Sequence, residues 1–151
     1  MKEVLKKLAV IQAKLKAPKG QKNSYGGYSY RSCEDIFTAV KPLCSETNTV
    51  LTVSDEVVLI GERYYVRATA TLLDCDSEQL VSNIAYARET AVKKGMDESQ
   101  ITGTASSYAR KYALNGLFCI DDTKDADTDE FHKKTAQSKT ENVQSPQDDL
   151  F

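Results

Sequence analysis

The sequence is poor in the residue types and patterns on which most enzymes rely. It holds a single histidine, His132, and neither a GxSxG nor an HExxH pattern. The usual serine-hydrolase and zinc-peptidase arrangements are therefore missing. There is no GxxxxGK[ST] run, hence no P-loop to cradle ATP. The four cysteines, Cys33, Cys44, Cys75 and Cys119, form no CxxC pair and have only His132 for company, which argues against a zinc site. They are expected to be buried, reduced thiols of a cytosolic protein, and no cofactor is expected. No apolar run approaches the roughly 18 residues that a membrane-spanning helix needs. The opening stretch MKEVLKKLAVIQAKLK breaks its apolar residues with lysines and has no continuous hydrophobic region, so it does not read as a secretory signal.

Acids are plentiful in one place. Asp121, Asp122, Asp125, Asp127 and Asp129 lie close together. A calcium loop started at Asp125 fails, because its sixth position is Glu130 rather than glycine and its twelfth is Ala136. A solvated acidic segment accounts for them better than metal catalysis does. A metal-dependent nuclease using Asp121–Asp129 stands as the alternative class.

What the chain does have is enough apolar material for one core: 40% of its 151 residues are hydrophobic. It also has an uneven charge. Residues 1–120 carry 16 Lys and Arg against 13 Asp and Glu, whereas residues 121–151 carry 4 against 9. The first 31 residues alone hold 8 basic groups and one acid. A basic body joined to an acidic tail points to a polyanionic partner for the body and a separate task for the tail.

The coarse reading is α+β, an antiparallel three-stranded meander packed with helices and followed by a disordered acidic tail. Residues 2–16 place Val4, Leu8, Ile11 and Leu15 on one helical stripe, which Pro18 ends. Residues 17–31 read as a loop rich in Gly, Lys and Tyr. Ser32 with Asp35 makes a capping box for a helix to about Ser45, with Pro42 expected to kink or end its last turn. NTVLTVSDEVVLI, RYYVRATATLLD and QLVSNIAYARETA are three strands in succession, the first two joined by Gly61-Glu62. A last helix runs from about Glu98 to Phe118. Runs of strands flanked by helices, without βαβ alternation, give the class.

Two regions carry the residues that hold a polyanion. On the middle strand Arg63, Tyr65, Arg67, Thr69 and Thr71 share one face, and on the third Tyr86 and Arg88 do the same. Cations interleaved with aromatics suit single-stranded nucleic acid, since cations hold phosphates and rings stack on bases. The same pattern is also that of any wet sheet face. The second region is the loop with Tyr25, Tyr28, Tyr30 and Arg31, in which the tyrosines either stack on a ligand or pack on the core. In the last helix, Ala105, Ala109, Tyr112, Ala113 and Gly116 share an arc that faces the sheet, with Tyr108 at its edge. The tyrosines there read as packing residues. Arg110 and Lys111 fall on the outer side, together with Leu114 and Phe118, two apolar residues that suggest a second contact, either with another part of the chain or with a neighbouring subunit.

Gly103–Leu114, GTASSYARKYAL, followed by CIDD, resembles the signature of the ERF superfamily, the single-strand annealing proteins of phages and prophages. Tyr28–Ile36, YSYRSCEDI, with Val40–Leu43 after it, resembles the family's other block. The resemblance spans Leu5 to Asp122, and the tail past Asp129 matches nothing in it. It divides the chain into residues 1–122, an annealing domain, and residues 123–151, a disordered linker and tail. It implies a protein that is not an enzyme, binds single-stranded DNA and pairs complementary strands without ATP. It further implies a homo-oligomeric ring or filament in the cytoplasm of a bacterial host. By position, Tyr28, Tyr30, Arg31, Arg110 and Lys111 are the matching candidates for DNA contact, and Lys93 and Lys94 precede the helix where the same groove would begin. A general single-strand binder that coats without annealing is the alternative.

The tail ends QDDLF. Gln147, Asp149, Leu150 and Phe151 resemble the short peptide by which bacterial proteins dock on the replicative sliding clamp, and the acidic, Phe-ending tip of bacterial single-strand binding protein. A polar tether with two terminal apolar anchors suits a ligand that orders on binding. The alternative is a polar tail without a partner.

Overall fold

The computed structural model describes residues 2–91 and 94–121. The chain divides into two units after Ile120, and the fold is that of the first. The tail with Gln147, Asp149, Leu150 and Phe151, the acids beyond Asp121, and Lys93 lie outside the described residues, as does the Tyr28 side chain.

Helix α1 (Glu3–Lys14) forms because its apolar residues recur at helical spacing: Val4, Leu8 and Ile11, with Leu15 just beyond, are all buried. Glu3 in its first turn and Lys14 in its last complement the helix dipole. The stretch expected to be a loop holds a small antiparallel hairpin instead, β1 (Gln21–Asn23) with β2 (Tyr28–Tyr30). Asn23 builds its turn: Oδ1 accepts from the Tyr25 and Gly26 amides at 2.9 and 3.2 Å. Gly27 closes it in the left-handed region at φ +63°.

Helix α2 (Cys33–Thr47) opens on the expected capping box. The Asp35 amide donates to Ser32 Oγ at 3.1 Å, and the Ser32 amide donates to Asp35 Oδ2 at 2.8 Å. The expected break at Pro42 does not occur, and the helix runs on to Thr47. Pro42 faces solvent, while Val40 and Cys44 on either side are buried with Ile36 and Cys33. Burial along that continuous stripe outweighs the one lost backbone bond.

The sheet has the predicted meander order, β3 (Thr49–Ile60), β4 (Arg63–Asp74) and β5 (Leu80–Arg88), all antiparallel. Alternation along β4 divides its faces: Val66, Ala68, Ala70 and Leu72 are fully buried, and Tyr65, Arg67, Thr69 and Thr71 are half-buried on the other side. Helix α3 (Glu98–Phe118), capped by Asp97 with Gln100, lies over the apolar face. It buries Ala105, Ala109 and Ala113, one residue per turn. Gly116 completes that contact, since a Cβ there would stand 2.3 Å from Asn83 Nδ2. Asn83 on β5 in turn donates to the Ala113 carbonyl at 3.0 Å.

Leu114 and Phe118, placed opposite the sheet-facing arc and expected to make a second contact, are among the most buried residues in the protein, and that contact is with another part of the chain. The reason is a second layer. Helix α3 also meets α1 and α2, and Gln12 Nε2 of α1 donates to the Leu117 carbonyl at 2.9 Å. The end of α3 is thus enclosed on two sides. Two of the thiols also depart from expectation: Cys33 and Cys44 are buried, but Cys75 and Cys119 are exposed.

The connection between β4 and β5 is organised by one buried carboxylate, Asp74. It accepts from the Asp76 amide at 3.0 Å and from Ser77 Oγ at 2.6 Å. Lys7 Nζ of α1 lies 2.5 Å from both Asp74 Oδ1 and Asp76 Oδ2 and so ties the first helix to the sheet. The Lys7 ammonium, ahead of the Ser77 hydroxyl, pulls the Asp74 carboxyl down to about 2.

Two outcomes follow. Phe118→Ala lowers unfolding free energy by about 3–5 kcal/mol in urea titration, the loss of a core aromatic and not of a surface contact. The carboxylate also gives a sign to the acid response. Its folded pKa lies below its unfolded value, so its stabilisation is complete above the ordinary carboxylate range and is lost as the pH falls towards about 2. The urea midpoint of the native chain drops across that window, and Lys7→Met flattens the part of the drop that Asp74 causes.

Candidate nucleic-acid interface

Two surfaces carry the cations and aromatics picked out in the sequence, and they lie on opposite sides of the sheet. The first is the outer face of β3–β4–β5. Register sets Glu56, Arg67 and Tyr86 in one cross-strand row and Val58, Tyr65 and Arg88 in the next. Arg67 Nη1 is 3.0 Å from Glu56 Oε1, and Arg63 Nη2 donates to the Glu89 carbonyl at 3.3 Å. Arg88 is exposed at the edge strand. Thr71 and Ser82 hydroxyls meet at 2.8 Å. This face is mixed: Val50, Ile60, Leu80, Ile84 and Tyr86 are exposed on it beside the polar residues, and the charge of Arg67 is matched by an acid of the neighbouring strand.

The second surface is a groove of about 730 Å³ on the helix side, between the β2–α2 junction and the first half of α3. Tyr30, Arg31 and Ser32 form one wall; Gly103, Tyr108 and Lys111 contribute to the other. The capping box that starts α2 fixes the first wall, and the alanine stripe that seats α3 fixes the second. Among the described residues, two cations and no carboxylate line the groove, so it suits a polyanion. Lys94 is exposed in the turn beside Gly95, which lines the groove at φ +83°.

Within the groove the residues differ in what else they do. Arg31 is buried and its Nε donates to the Ala17 carbonyl, so it holds the α1–β1 connection as well as lining the site. Tyr30 is partly exposed. Lys111 Nζ stands 4.9 Å from the centroid of the Tyr108 ring and 5.8 Å from that of Tyr112. Those two rings, expected to pack inward, are 48% and 50% exposed and lie 6.2 Å apart at 25°. The alanines between them fill the space against the sheet and leave no room for a ring.

Arg110 takes a different course from its neighbour. It turns to β3, where Nε lies 3.0 Å from Asp55 Oδ2 and Nη2 lies 3.3 Å from Oδ1. Ser106 Oγ donates to the same carboxylate. The guanidinium first, and the Ser106 hydroxyl second, hold the Asp55 carboxyl below the usual range. Asp55 escaped the sequence reading. Its signal was present: Leu51, Val53, Asp55 and Val57 alternate inward, so the acid sits where the pattern demands an apolar residue. Such a position needs a partner from the covering helix.

The sequence compares with known proteins as follows. A profile of the ERF superfamily matches residues 4–150, so the match runs through the tail, past the point where the resemblance was expected to stop. The essential recombination function protein of Salmonella phage P22 is 59% identical over 133 residues, which cover 88% of this chain and 62% of that protein. This chain therefore spans less than two thirds of the length of that relative. No solved structure matches it.

The adjacent cations of α3 are separable by experiment. Arg110→Gln leaves Asp55 without its partner and destabilises the fold by about 1 kcal/mol, the scale of a half-exposed pair, as read from urea unfolding. Lys111→Gln keeps Asp55 paired and, where the groove holds a single strand, reduces the salt slope of binding by about 0.7, the value of one phosphate contact on a single strand.

Proposed function

The chain belongs to the ERF superfamily, and we propose that it binds single-stranded DNA and anneals complementary strands in phage recombination, without ATP and without a chemical step. The observation that carries this reading is the groove between the β2–α2 junction and α3, lined by Tyr30, Arg31, Tyr108 and Lys111 and with no carboxylate among its described lining residues. The name of the P22 relative, an essential recombination function protein, supports the recombination role.

The physics of annealing matches such a groove. Two polyanions must approach one another, so fixed cations are required to offset phosphate repulsion. The bases must stay available to a complement, so contacts to backbone and ring faces serve better than readout of base edges. On this reading the protein works as a homo-oligomer in the cytoplasm of the bacterial host, because a long strand needs many such grooves in series. Tail residues Gln147, Asp149, Leu150 and Phe151 serve as a tether to a replication partner such as the sliding clamp.

The test is a mixture of two complementary labelled oligonucleotides with the protein, without ATP, in the presence and absence of magnesium. Pairing faster than in the protein-free control, with or without the metal, is the expected result. Binding without acceleration would reduce the protein to a coating function. Magnesium-dependent cleavage would replace annealing with nuclease chemistry.

A further inference from the structure

We propose that Tyr108 and Tyr112 form a two-rung platform on which the bases of the bound strand stack, and that Lys111 leaves the rings for a phosphate when the strand arrives. This rests on the reading of the groove as a single-strand site and adds to it the residues that hold the bases.

The geometry follows from helix spacing. Residues four apart on an α-helix are separated by about 6 Å along its axis, and the two ring centroids are 6.2 Å apart. The rings are inclined by only 25°, so they stand as successive rungs. Each is about half exposed, although aromatic rings on a helix that seats against a sheet are normally taken into the core. The alanine stripe prevents that here: Ala105, Ala109 and Ala113 occupy the buried arc and leave Tyr108 and Tyr112 standing on its outer margin.

The Lys111 ammonium sits against both rings. It marks them as electron-rich surfaces within reach of a cation, since ring faces attract positive charge. A nucleobase occupies such a face equally well and brings a phosphate with it. The exchange therefore replaces the ammonium-to-ring contacts by contacts with the strand, ring to base and ammonium to phosphate. Tyr108 and Lys111 line the same groove as Tyr30 and Arg31, so the platform continues the cationic wall. Among the described residues that wall carries no carboxylate, which favours a nucleic acid over a second copy of this chain. Stacking uses the face of a base and leaves its pairing edge to a complement, as annealing demands.

The experiment compares two probes of equal length, a labelled oligothymidylate and an abasic deoxyribose-phosphate strand. Tyr108→Ala with Tyr112→Ala weakens oligothymidylate binding by roughly ten- to a hundredfold, from base–ring stacking at two positions, with an unchanged salt slope. It leaves the abasic probe bound as tightly as by the native chain. Tyr108→Phe with Tyr112→Phe restores binding, and Lys111→Gln weakens both probes. The chain has no tryptophan, so Tyr108→Trp provides a direct reporter, whose emission is quenched by oligothymidylate and not by the abasic strand. Equal affinity of the alanine pair and the native chain for oligothymidylate, an equal loss on both probes, or an unquenched tryptophan overturns the platform while leaving single-strand binding in place. Failure of the native chain to bind either probe overturns the proposed function as well.

Discussion

Everything on the helix side of this protein depends on how closely α3 lies to the sheet. Three alanines one turn apart, then Gly116 against Asn83, leave no side chain thick enough to hold the helix away. The small residues give up apolar area at each position. They gain a seat in which the backbone of α3 itself meets β5, through the Asn83 bond to the Ala113 carbonyl. Larger side chains are then displaced to where room remains. Leu114, Leu117 and Phe118 go to the end enclosed by α1 and α2, and Tyr108 and Tyr112 go to the open margin. A helix spaced by leucines would stand farther from the sheet.

The same seat separates two adjacent cations. Arg110 and Lys111 are about 100° apart around the helix axis, so one is aimed at β3 and the other at the groove. Arg110 meets an acid already facing inward and forms a two-point pair with it. Lys111 meets two ring faces. The strand-paired arginine fixes the helix in rotation about its axis, and so fixes where Lys111 and both tyrosines point. On the proposed reading, Asp55 and Arg110 are positioning residues for a site they do not touch.

Much of the fold was legible in the chain, because it rests on local rules. The stripe of α1, the capping boxes of α2 and α3, and the three strands with their short turns each declare themselves within a dozen residues. What was not legible depends on distant neighbours. Strands of three residues carry too little alternation to be seen, so the Tyr-rich hairpin read as a loop. A helical wheel gives angles around α3 but not the number of layers against each arc, which is why Leu114 and Phe118 were turned outward and the tyrosines inward. Proline in α2 was weighed by its local cost alone, whereas burial on both sides of it decides. For the site, Tyr30, Arg31 and Lys111 line one groove, while Arg63, Arg67 and Arg88 lie across the sheet on a face partly neutralised by Glu56.

That division bears on how a strand would be handled. On the outer sheet face Arg67 is engaged with Glu56 and Arg63 with a backbone carbonyl, so a phosphate at either must compete with contacts inside the fold. In the groove, Lys111 lies against ring faces. A site of few cations also binds each nucleotide weakly and strongly only in sum, since phosphate contacts add along the strand. Annealing calls for that balance: the single strand must be held along many nucleotides, yet each segment must be released as the duplex forms. A groove dense in arginine would favour holding over release; on the proposed annealing role, a groove with one lysine, one structurally committed arginine and exposed rings among its described residues lies on the side of release.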